Sequence, residues 1–518
     1  MKRLLLSAAL ALLFTGSAST AETLRIGMAS VVTSIDPHFY NATPNNIIGS
    51  QIFDGLTIRD PDGKLLPHLA VSWEMTDETT WHFKLREGVV FHDGKPLTAA
   101  DAAFSLIRAK DVPNSPGGFR SYIGKVLEAR ALDDLTLEVK TDGSAPDLPA
   151  DLATIMIISQ EAAGKATTAD FNAGPAAIGT GPFKFVEFRQ DERIELARND
   201  DYWGTKPEWD KATYQMIPSA GARTAAILSG DIDVIEQPNP LDLERLAAAP
   251  NVELFEKPGL RAIYVSVSHK DQNPYITAKD GKALETNPLT DLRVRQALSI
   301  SIDRTMLTDR LMGKTAVANA QWLPEGVTTW SPNIKDIQPD PEAAKALLAE
   351  AGYSDGFKVT LHVPTDRYPN APAVAQGIAQ MWSRIGVEAR VESLPWSTYS
   401  KEYRNYALAI LGFGNGSNDA RSILLNVVGS SENDPSFGSS NAGNYINPEL
   451  DALTTQALGT IDDTERAELL TKAVEMTMAD VAFIPLYNQK NVWALRKGLT
   501  MPPRQLERTF ASEITKAK

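Results

Sequence analysis

The chain of 518 residues contains no cysteine. Disulfide bonds, thiolate metal ligands and cysteine nucleophiles are therefore excluded. No run of about 18 apolar residues occurs, so the sequence predicts no transmembrane helix. Positive charge is in the minority, with 51 Lys and Arg against 65 Asp and Glu and a net charge of −14. This balance argues against nucleic acid or an anionic membrane surface as a main partner.

The first residues are typical of a secretory signal peptide. Two basic residues precede an apolar run at 4–14, and the small residues Ser19 and Ala21 precede a predicted cut before Glu22. We therefore expect residues 1–21 to be removed on export. Because no cysteine is available for a lipid anchor, the mature protein is expected to be free in the periplasm of a Gram-negative cell.

Motifs that carry enzyme chemistry are also missing. The nucleophile elbow G-x-S-x-G, the zinc motif H-E-x-x-H and the phosphate loop G-x-x-x-x-G-K-[ST] do not occur. No two of the six histidines lie within four positions of each other, so a zinc site would have to combine distant residues. We predict no catalytic residue, no cofactor and no metal, and hence no enzyme. A convergent active site assembled by the fold stays an open alternative.

The order of predicted elements indicates an α/β protein of two or three domains. Val71 and Trp73 belong to a strand whose hairpin partner is the alternating apolar run at 81–85. Thr98 is placed to cap a helix at Ala99–Ala109. From residue 340 the order is helix, strand, helix, strand, strand, which favours a partly parallel sheet.

A series of motifs carries a family resemblance. They are PHLAVSWE at 67–74, WHFKLREGVVFHDGKPLTAADAAFSL at 81–106, GTGPFKF at 179–185, LSGDIDV at 228–234, LRVRQALSISID at 292–303 and FIPLY at 483–487. This ordered set resembles the extracellular solute-binding proteins of family 5, the peptide, nickel and opine receptors of ABC importers. The resemblance covers essentially the whole chain after the predicted leader.

The resemblance implies a type II periplasmic-binding-protein fold with three domains. Lobes I and III close on the ligand, and domain II is accessory. We expect lobe I to comprise residues 22–46, 182–262 and 489–518, domain II residues 47–181, and lobe III residues 263–488. The implied partners are a small-molecule or short-peptide ligand and the permease of an ABC importer, and the implied state is a monomer.

One wall of the ligand site is expected in lobe III. In peptide receptors of this family, a Trp, the strand after it and an aromatic-Gly loop line the pocket, and Trp396 matches that Trp. The loop after the predicted strand 408–413 supplies the further candidates Asn415, Gly416, Ser417, Asn418 and Asp419.

The resemblance aligns Gly416 with an Asp that binds the ligand ammonium in dipeptide receptors. Two alternatives stay open. Asp419 takes over that contact, or the ligand has no free amine and is held by Asn415, Ser417 and Asn418. Amide side chains both donate and accept hydrogen bonds, as sugar hydroxyls require.

The second wall is expected around Arg367 and Tyr368. Arg367 resembles the Arg that binds the ligand carboxylate in dipeptide receptors, and Tyr368 resembles a Tyr that follows that Arg shortly. A guanidinium offers a planar fork that suits a carboxylate or phosphate. Tyr40 and Asn41 are candidate contacts from lobe I. The predicted function is capture of a short peptide or peptide-like compound. An opine or a sugar or sugar-phosphate conjugate is the alternative ligand, and a periplasmic chaperone or hydrolase is the distant alternative.

Overall fold

The computed structural model describes residues 21–430 and 437–518, so the predicted leader lies outside the described residues apart from Ala21. The strands within these ranges are β1 (Thr23–Met28), β2 (Thr57–Arg59), β3 (Leu65–Pro67), β4 (Ala70–Asp77), β5 (Thr80–Leu85), β6 (Val126–Asp133), β7 (Thr136–Thr141), β8 (Phe183–Arg189), β9 (Arg193–Arg198), β10 (Lys211–Met216), β11 (Val234–Glu236), β12 (Val252–Val267), β13 (Ile276–Thr277), β14 (Ala316–Ala318), β15 (Lys358–Pro364), β16 (Glu388–Leu394), β17 (Leu408–Gly414), β18 (Phe483–Arg496), β19 (Leu499–Thr500) and β20 (Thr515–Lys516).

The α-helices in the same ranges are α1 (Thr43–Ile52), α2 (Ala99–Ala109), α3 (Arg120–Ile123), α4 (Leu148–Asp151), α5 (Gln160–Ala163), α6 (Thr168–Ala173), α7 (Ala220–Ser229), α8 (Leu243–Ala247), α9 (Leu292–Ile300), α10 (Arg304–Met306), α11 (Pro341–Glu350), α12 (Ala371–Ser383), α13 (Trp396–Glu402), α14 (Arg421–Ile423), α15 (Pro448–Gly459) and α16 (Asp463–Ala479). Short 3₁₀ and π turns extend several of them. Among the described helices, none combines the length and the apolar character needed to cross a membrane.

A large mixed sheet runs through the molecule. Its strand order is β13-β15-β17-β12-β18-β11-β1-β10-β9-β8, with β14 paired to β18 and β16 paired to β15. Strand β15 runs parallel to β16 and β17, and β1 runs parallel to β10 and β11, whereas the pairs around β12 and β18 are antiparallel. The prediction of an α/β protein with a partly parallel sheet is therefore confirmed.

Strands β12 and β18 form the central pair of this sheet. The pairing shifts register between Pro258 and Arg261, which marks a bulge in β12. Gly259 lies in that bulge, and a Cβ built on it would stand 2.5 Å from the backbone oxygen of Gln489. The bulge lies close to residues 262 and 489, where the chain is predicted to cross between lobes I and III. The domain boundaries stay predictions, and the names lobe I, domain II and lobe III denote the predicted residue ranges.

Domain II contains a separate antiparallel sheet of order β4-β5-β7-β6. The predicted hairpin is confirmed, because Trp73 pairs with Phe83. Helix α2 begins and ends where the sequence predicts, and Thr98 forms a capping box with Asp101. Apolar side chains of this sheet and of α2, including Phe83 and Leu106, share a core of their own.

In lobe III, helix α12 packs against the sheet through an apolar stripe. Val374, Ile378 and Trp382 lie four residues apart, so they face one side of the helix, and all three are buried. The helix covers β15 and β16, and β15 pairs with β17 in parallel. Because these strands are parallel, their carboxyl ends lie at the same edge of the sheet, where open α/β sheets bind ligands.

Candidate ligand-binding cleft

A cavity of about 500 Å³ lies where the three predicted domains meet. That volume is within the usual range of small-ligand sites. Lobe I contributes the predicted residues Tyr40 and Asn41, together with Glu507 and Arg508 from its last segment. Domain II contributes Tyr122. The cavity is therefore lined by parts of the chain that are far apart in sequence.

Lobe III forms the opposite wall, with Arg367, Tyr368, Trp396, Asn415 and Gly416. These side chains lie in or just after the loops that follow β15, β16 and β17. The parallel pairing of these strands brings the loops to one edge of the sheet, although Gly416 comes 49 residues after Arg367 in the chain. Five of the predicted binding residues thus share one wall.

Arg367 extends along this wall. Its guanidinium carbon lies 5.3 Å from the ring centroid of Trp396, a cation–π contact. Its Nη1 donates to the hydroxyl of Ser30 in lobe I at 3.2 Å, whereas its Nε is buried without a hydrogen-bond partner. No acidic side chain among the described residues forms an ion pair with Arg367. It is a positioned cation with unused hydrogen-bond donors.

Arg261 and Glu507 form a buried ion pair at the base of the cleft. The Nε of Arg261 lies 2.7 and 2.8 Å from the two carboxylate oxygens, and Nη2 lies 2.6 Å from Oε2. Burial alone would lower the pKa of Arg261, but the carboxylate raises it overall. The positive charge of Arg261 therefore neutralises Glu507, which contributes little negative potential to the cleft.

Arg508 lines the same cleft without such compensation. Its guanidinium makes no hydrogen bond or ion pair with any part of the chain that the structure describes. Burial, together with the nearby cation of Arg504, lowers the pKa of Arg508 to about 10. The group is still protonated at neutral pH, so it presents a second uncompensated positive charge.

The cleft is positively charged although the chain as a whole is acidic. Its described lining carries one carboxylate, Glu507, and four cations, which are Arg261, Arg367, Lys401 and Arg508. A cleft lined by charge of one sign focuses the field and concentrates ligands of the opposite sign. The lining therefore favours an anionic ligand.

The loop after β17 is organised around the side chain of Asn415. Its Nδ2 donates to the backbone oxygen of Asp419 at 2.5 Å, and its Oδ1 accepts from the amide and hydroxyl of Ser417 at 3.1 and 3.0 Å. Only 1% of Asn415 is exposed. Its polar atoms therefore stabilise the loop conformation, and the loop presents its backbone at Gly416 to the cleft.

Three of the predicted residues do not line the cleft. Ser417 faces a second cavity, of about 250 Å³, between domain II and lobe III. Asp419 accepts a hydrogen bond from the backbone amide of Arg421 at 2.9 Å, and Asn418 lies beside Gly63 of domain II. Ligand contacts by all ten candidate residues stay predictions.

The lining residues that the sequence did not single out include Tyr122, Arg261, Glu507 and Arg508. None of them belongs to a motif that carries the family resemblance. Arg261 reaches the cleft through the bulge in β12, and the last two lie in an irregular segment near the C-terminus. Isolated charges in such segments are usually solvated, so only their tertiary placement gives them a role.

The chain is similar to known proteins in both sequence and fold. The model of the bacterial extracellular solute-binding proteins, family 5 middle, matches residues 64–435. Similar proteins include heme-binding protein A of Haemophilus influenzae, 29% identical over 476 residues covering 86% of this chain and 83% of that one. The dipeptide-binding protein of Escherichia coli K12 is 30% identical over 451 residues, covering 81% and 80%.

A solved structure of similar fold is the periplasmic binding protein DppA of Helicobacter pylori, in complex with the peptide STSA. It has a TM-score of 0.82 at 24% identity and covers 96% of this chain and 98% of that one. The predicted type II periplasmic-binding-protein fold is confirmed. Proteins of this family are transport receptors, so the prediction that the chain is not an enzyme is also confirmed. The chain belongs to family 5 of the bacterial extracellular solute-binding proteins.

Proposed function

We propose that this receptor captures a small, peptide-like compound that carries a carboxylate, and delivers it to the permease of an ABC importer. The observation that carries the proposal is the uncompensated positive charge of the cleft. Arg367 and Arg508 both line the cavity without an acidic partner among the described residues. A partly buried cation without a counterion is unfavourable, and an anionic ligand offsets that cost.

Arg367 is the proposed contact for the ligand carboxylate. Trp396 and Tyr368 flank its guanidinium and limit its motion. A planar cation fixed in this way can form two parallel hydrogen bonds to one carboxylate. Tyr40, Asn41 and the backbone around Gly416 are proposed as further contacts.

We further propose that the ligand draws lobes I and III together. Strands β12 and β18 join the two lobes, and the bulge at Gly259 gives this connection a site at which it can bend. A ligand held by both walls would bind the closed form better and so increase its population. The hydrogen bond from Arg367 in lobe III to Ser30 in lobe I is one contact that such closure would make.

An opine or a sugar or sugar-phosphate conjugate is the second candidate ligand. The observation that favours it is the glycine at position 416, since the described part of the lobe III wall carries no acid for a free ammonium. Such compounds share the carboxylate or phosphate that Arg367 would bind. They differ from a free peptide at the nitrogen, which is substituted or absent.

The proposed location is the periplasm, with the mature chain free, unanchored and monomeric. The family is extracellular, and the sequence offers no cysteine for lipid attachment. Fractionation of cells that express the full chain would detect the mature protein in the periplasmic fraction, without detergent. Recovery in the membrane pellet would contradict this proposal.

Native mass spectrometry of the purified mature protein tests the ligand. We expect a bound compound whose mass and fragmentation identify at least one carboxylate or phosphate. Small-angle scattering before and after its removal should report a smaller radius of gyration for the loaded form. A ligand without any anionic group, or identical scattering in both states, would contradict the proposal.

A further inference from the structure

A tyrosine of domain II reaches into the ligand cleft. Tyr122 lies on α3 and separates the cleft from the cavity of about 250 Å³ behind it. A Cβ built on Gly416 would stand 3.1 Å from the Tyr122 hydroxyl oxygen. The hydroxyl therefore occupies the space next to Gly416, and the predicted accessory domain forms part of the ligand wall.

Two asparagines of lobe I line the cleft together with this tyrosine. The Nδ2 of Asn46 donates to the Oδ1 of Asn41 at 2.9 Å, so the two amide side chains hold each other in place. The backbone amide of Asn41 donates to Gly117 of domain II at 2.9 Å, so the group is fixed across the domain boundary. A tyrosine hydroxyl both donates and accepts, so its proton is available to an acceptor. No acceptor for it is found among the described residues.

Arg508 supplies a second donor to the lining of the same cleft. Its guanidinium interacts electrostatically with Tyr122, and it has no acidic partner among the described residues. Burial raises the pKa of Tyr122, so the phenol keeps its proton and stays a donor. Asp151 raises the pKa of Tyr122 and Arg421 lowers it, since their charges are opposite. The two groups lie 3.5 Å apart, so their effects on Tyr122 oppose each other.

We propose that Tyr122 and Arg508 form a second ligand subsite, in which the Tyr122 hydroxyl donates to a carboxylate or carbonyl oxygen beside Gly416. The inference rests on the proposed function and narrows its ligand class. One end of the ligand carries the carboxylate for Arg367. The other end carries an acceptor group in place of a free ammonium, as in an acylated or carboxyalkylated amino compound.

A free ammonium would bind poorly at this subsite. It would meet the Arg508 cation, and like charges in a partly buried site repel. The one acid in the described lining, Glu507, is held by Arg261 through two hydrogen bonds. Withdrawing Glu507 toward an ammonium would leave Arg261 buried and uncompensated.

Calorimetric titration of the mature protein with three probes tests the inference. The probes are dialanine, N-acetyl-dialanine and N-succinyl-dialanine, which replace the ammonium by a neutral acceptor and then by a carboxylate. We expect N-succinyl-dialanine to bind at least about tenfold tighter than dialanine, since hydrogen bonds to charged groups are worth that much.

Tyr122→Phe removes only the hydroxyl. We expect it to weaken N-succinyl-dialanine about tenfold and to change dialanine less than about twofold. Tyr353→Phe, in which the lost hydroxyl lies outside the cleft lining, is the matched control and should change neither affinity. Melting temperatures measured on all variants establish that they fold.

A double variant, Tyr122→Phe with Gly416→Asp, should reverse the order of the probes. The new carboxylate takes the space that the hydroxyl leaves and attracts the dialanine ammonium. If wild type binds dialanine as tightly as N-succinyl-dialanine, the inference is overturned and the proposed function stays intact. The same holds if Tyr122→Phe leaves the ratio of the two dissociation constants unchanged. Failure of every probe to bind at millimolar concentration would overturn the peptide-like ligand, and the inference with it.

Discussion

The guanidinium of Arg421 lies 2.7 Å from the carboxylate of Asp147, across the boundary between lobe III and domain II. Both side chains are largely buried, with 6% and 18% of the side chain exposed. Arg466 of lobe III reaches the same carboxylate at 3.3 Å, and Asp151 lies 3.5 Å from Arg421. Two acids of domain II and two cations of lobe III therefore join the walls behind the cleft.

This ion cluster should stabilise the closed arrangement of the receptor. Arg421→Met leaves Asp147 and Asp151 facing each other without their main cation, and we expect ligand affinity to fall about tenfold or more. The double variant Arg421→Met with Asp147→Asn should recover part of that loss. A coupling energy of about 0.5–3 kcal/mol from the four affinities would confirm the contact, whereas strictly additive effects would contradict it.

Asp151 in the same cluster should give the protein a distinctive pH dependence. Burial, then the like charge of Asp147, raises its pKa to about 7, although Arg421 opposes the shift. In the unfolded chain this carboxyl would titrate near 4. Between these values the folded state holds one proton more than the unfolded state, so stability falls as pH rises from about 4 to 7.

Asp151→Asn should therefore raise stability at pH 7 and above, by up to about 4 kcal/mol, and have little effect near pH 4. Thermal melts of wild type and variant across this pH range give the difference, in which contributions from other titrating groups cancel. An advantage of the variant that is constant with pH, or greatest at low pH, would show that Asp151 does not titrate in this way. Asp142→Asn, on an acid that lines the neighbouring cavity, is a suitable control.

Arg367 should be the strongest single contact for an anionic ligand. Arg367→Ala removes a cation that has no acidic partner among the described residues, so folding should be little affected and affinity should fall about 10- to 100-fold. Arg367→Lys keeps the charge but loses the planar fork, and we expect it to recover only part of the affinity. Titration with N-succinyl-dialanine gives the values.

The control for Arg367 is Arg390→Ala. Arg390 lies on β16 with 78% of its side chain exposed, so its removal changes the net charge equally without touching the cleft. Equal losses from the two variants would mean that long-range charge alone governs binding. No loss from Arg367→Ala would remove this residue from the ligand site.

Local sequence signals predicted much of the fold. The capping box at Thr98 and the alternation through Trp73 and Phe83 gave correct element boundaries, because short-range hydrogen bonds and side-chain alternation decide them. The loop after β17 was also recognised. Its polar residues were expected to face the ligand, yet Asn415 binds its own loop, since a buried turn must satisfy its backbone groups first.

Long-range pairing could not be read in the same way. The sequence does not reveal that Arg261 meets Glu507, 246 residues later, or that Tyr122 of an accessory domain lies beside Gly416. These contacts depend on a bulge in β12 and on the path of the last segment, for which no residue pattern is specific. The pairing of Arg261 with Glu507 nevertheless decides how much negative charge the cleft presents to a ligand.

The bulge at Gly259 should tolerate no side chain. The Cβ of Gly259→Ala would stand 2.5 Å from the backbone oxygen of Gln489 and 2.8 Å from the Oδ1 of Asn491, so β12 and β18 must separate. We expect a loss of about 1–3 kcal/mol in the free energy of unfolding, as in other overpacked sites. Because Arg261 comes directly after the bulge and lines the cleft, ligand affinity should also fall.

Gly221→Ala is the matched control for this prediction. Gly221 lies in α7, and a Cβ there would meet no atom within 4 Å. Alanine should stabilise that helix by up to about 1 kcal/mol and leave ligand binding unchanged. Denaturant unfolding and calorimetric titration of both variants separate the two effects. The contrary result is that Gly259→Ala matches Gly221→Ala in unfolding free energy and in ligand affinity. β12 and β18 would then separate at the bulge with no loss of stability, and a bend at that point would no longer account for closure.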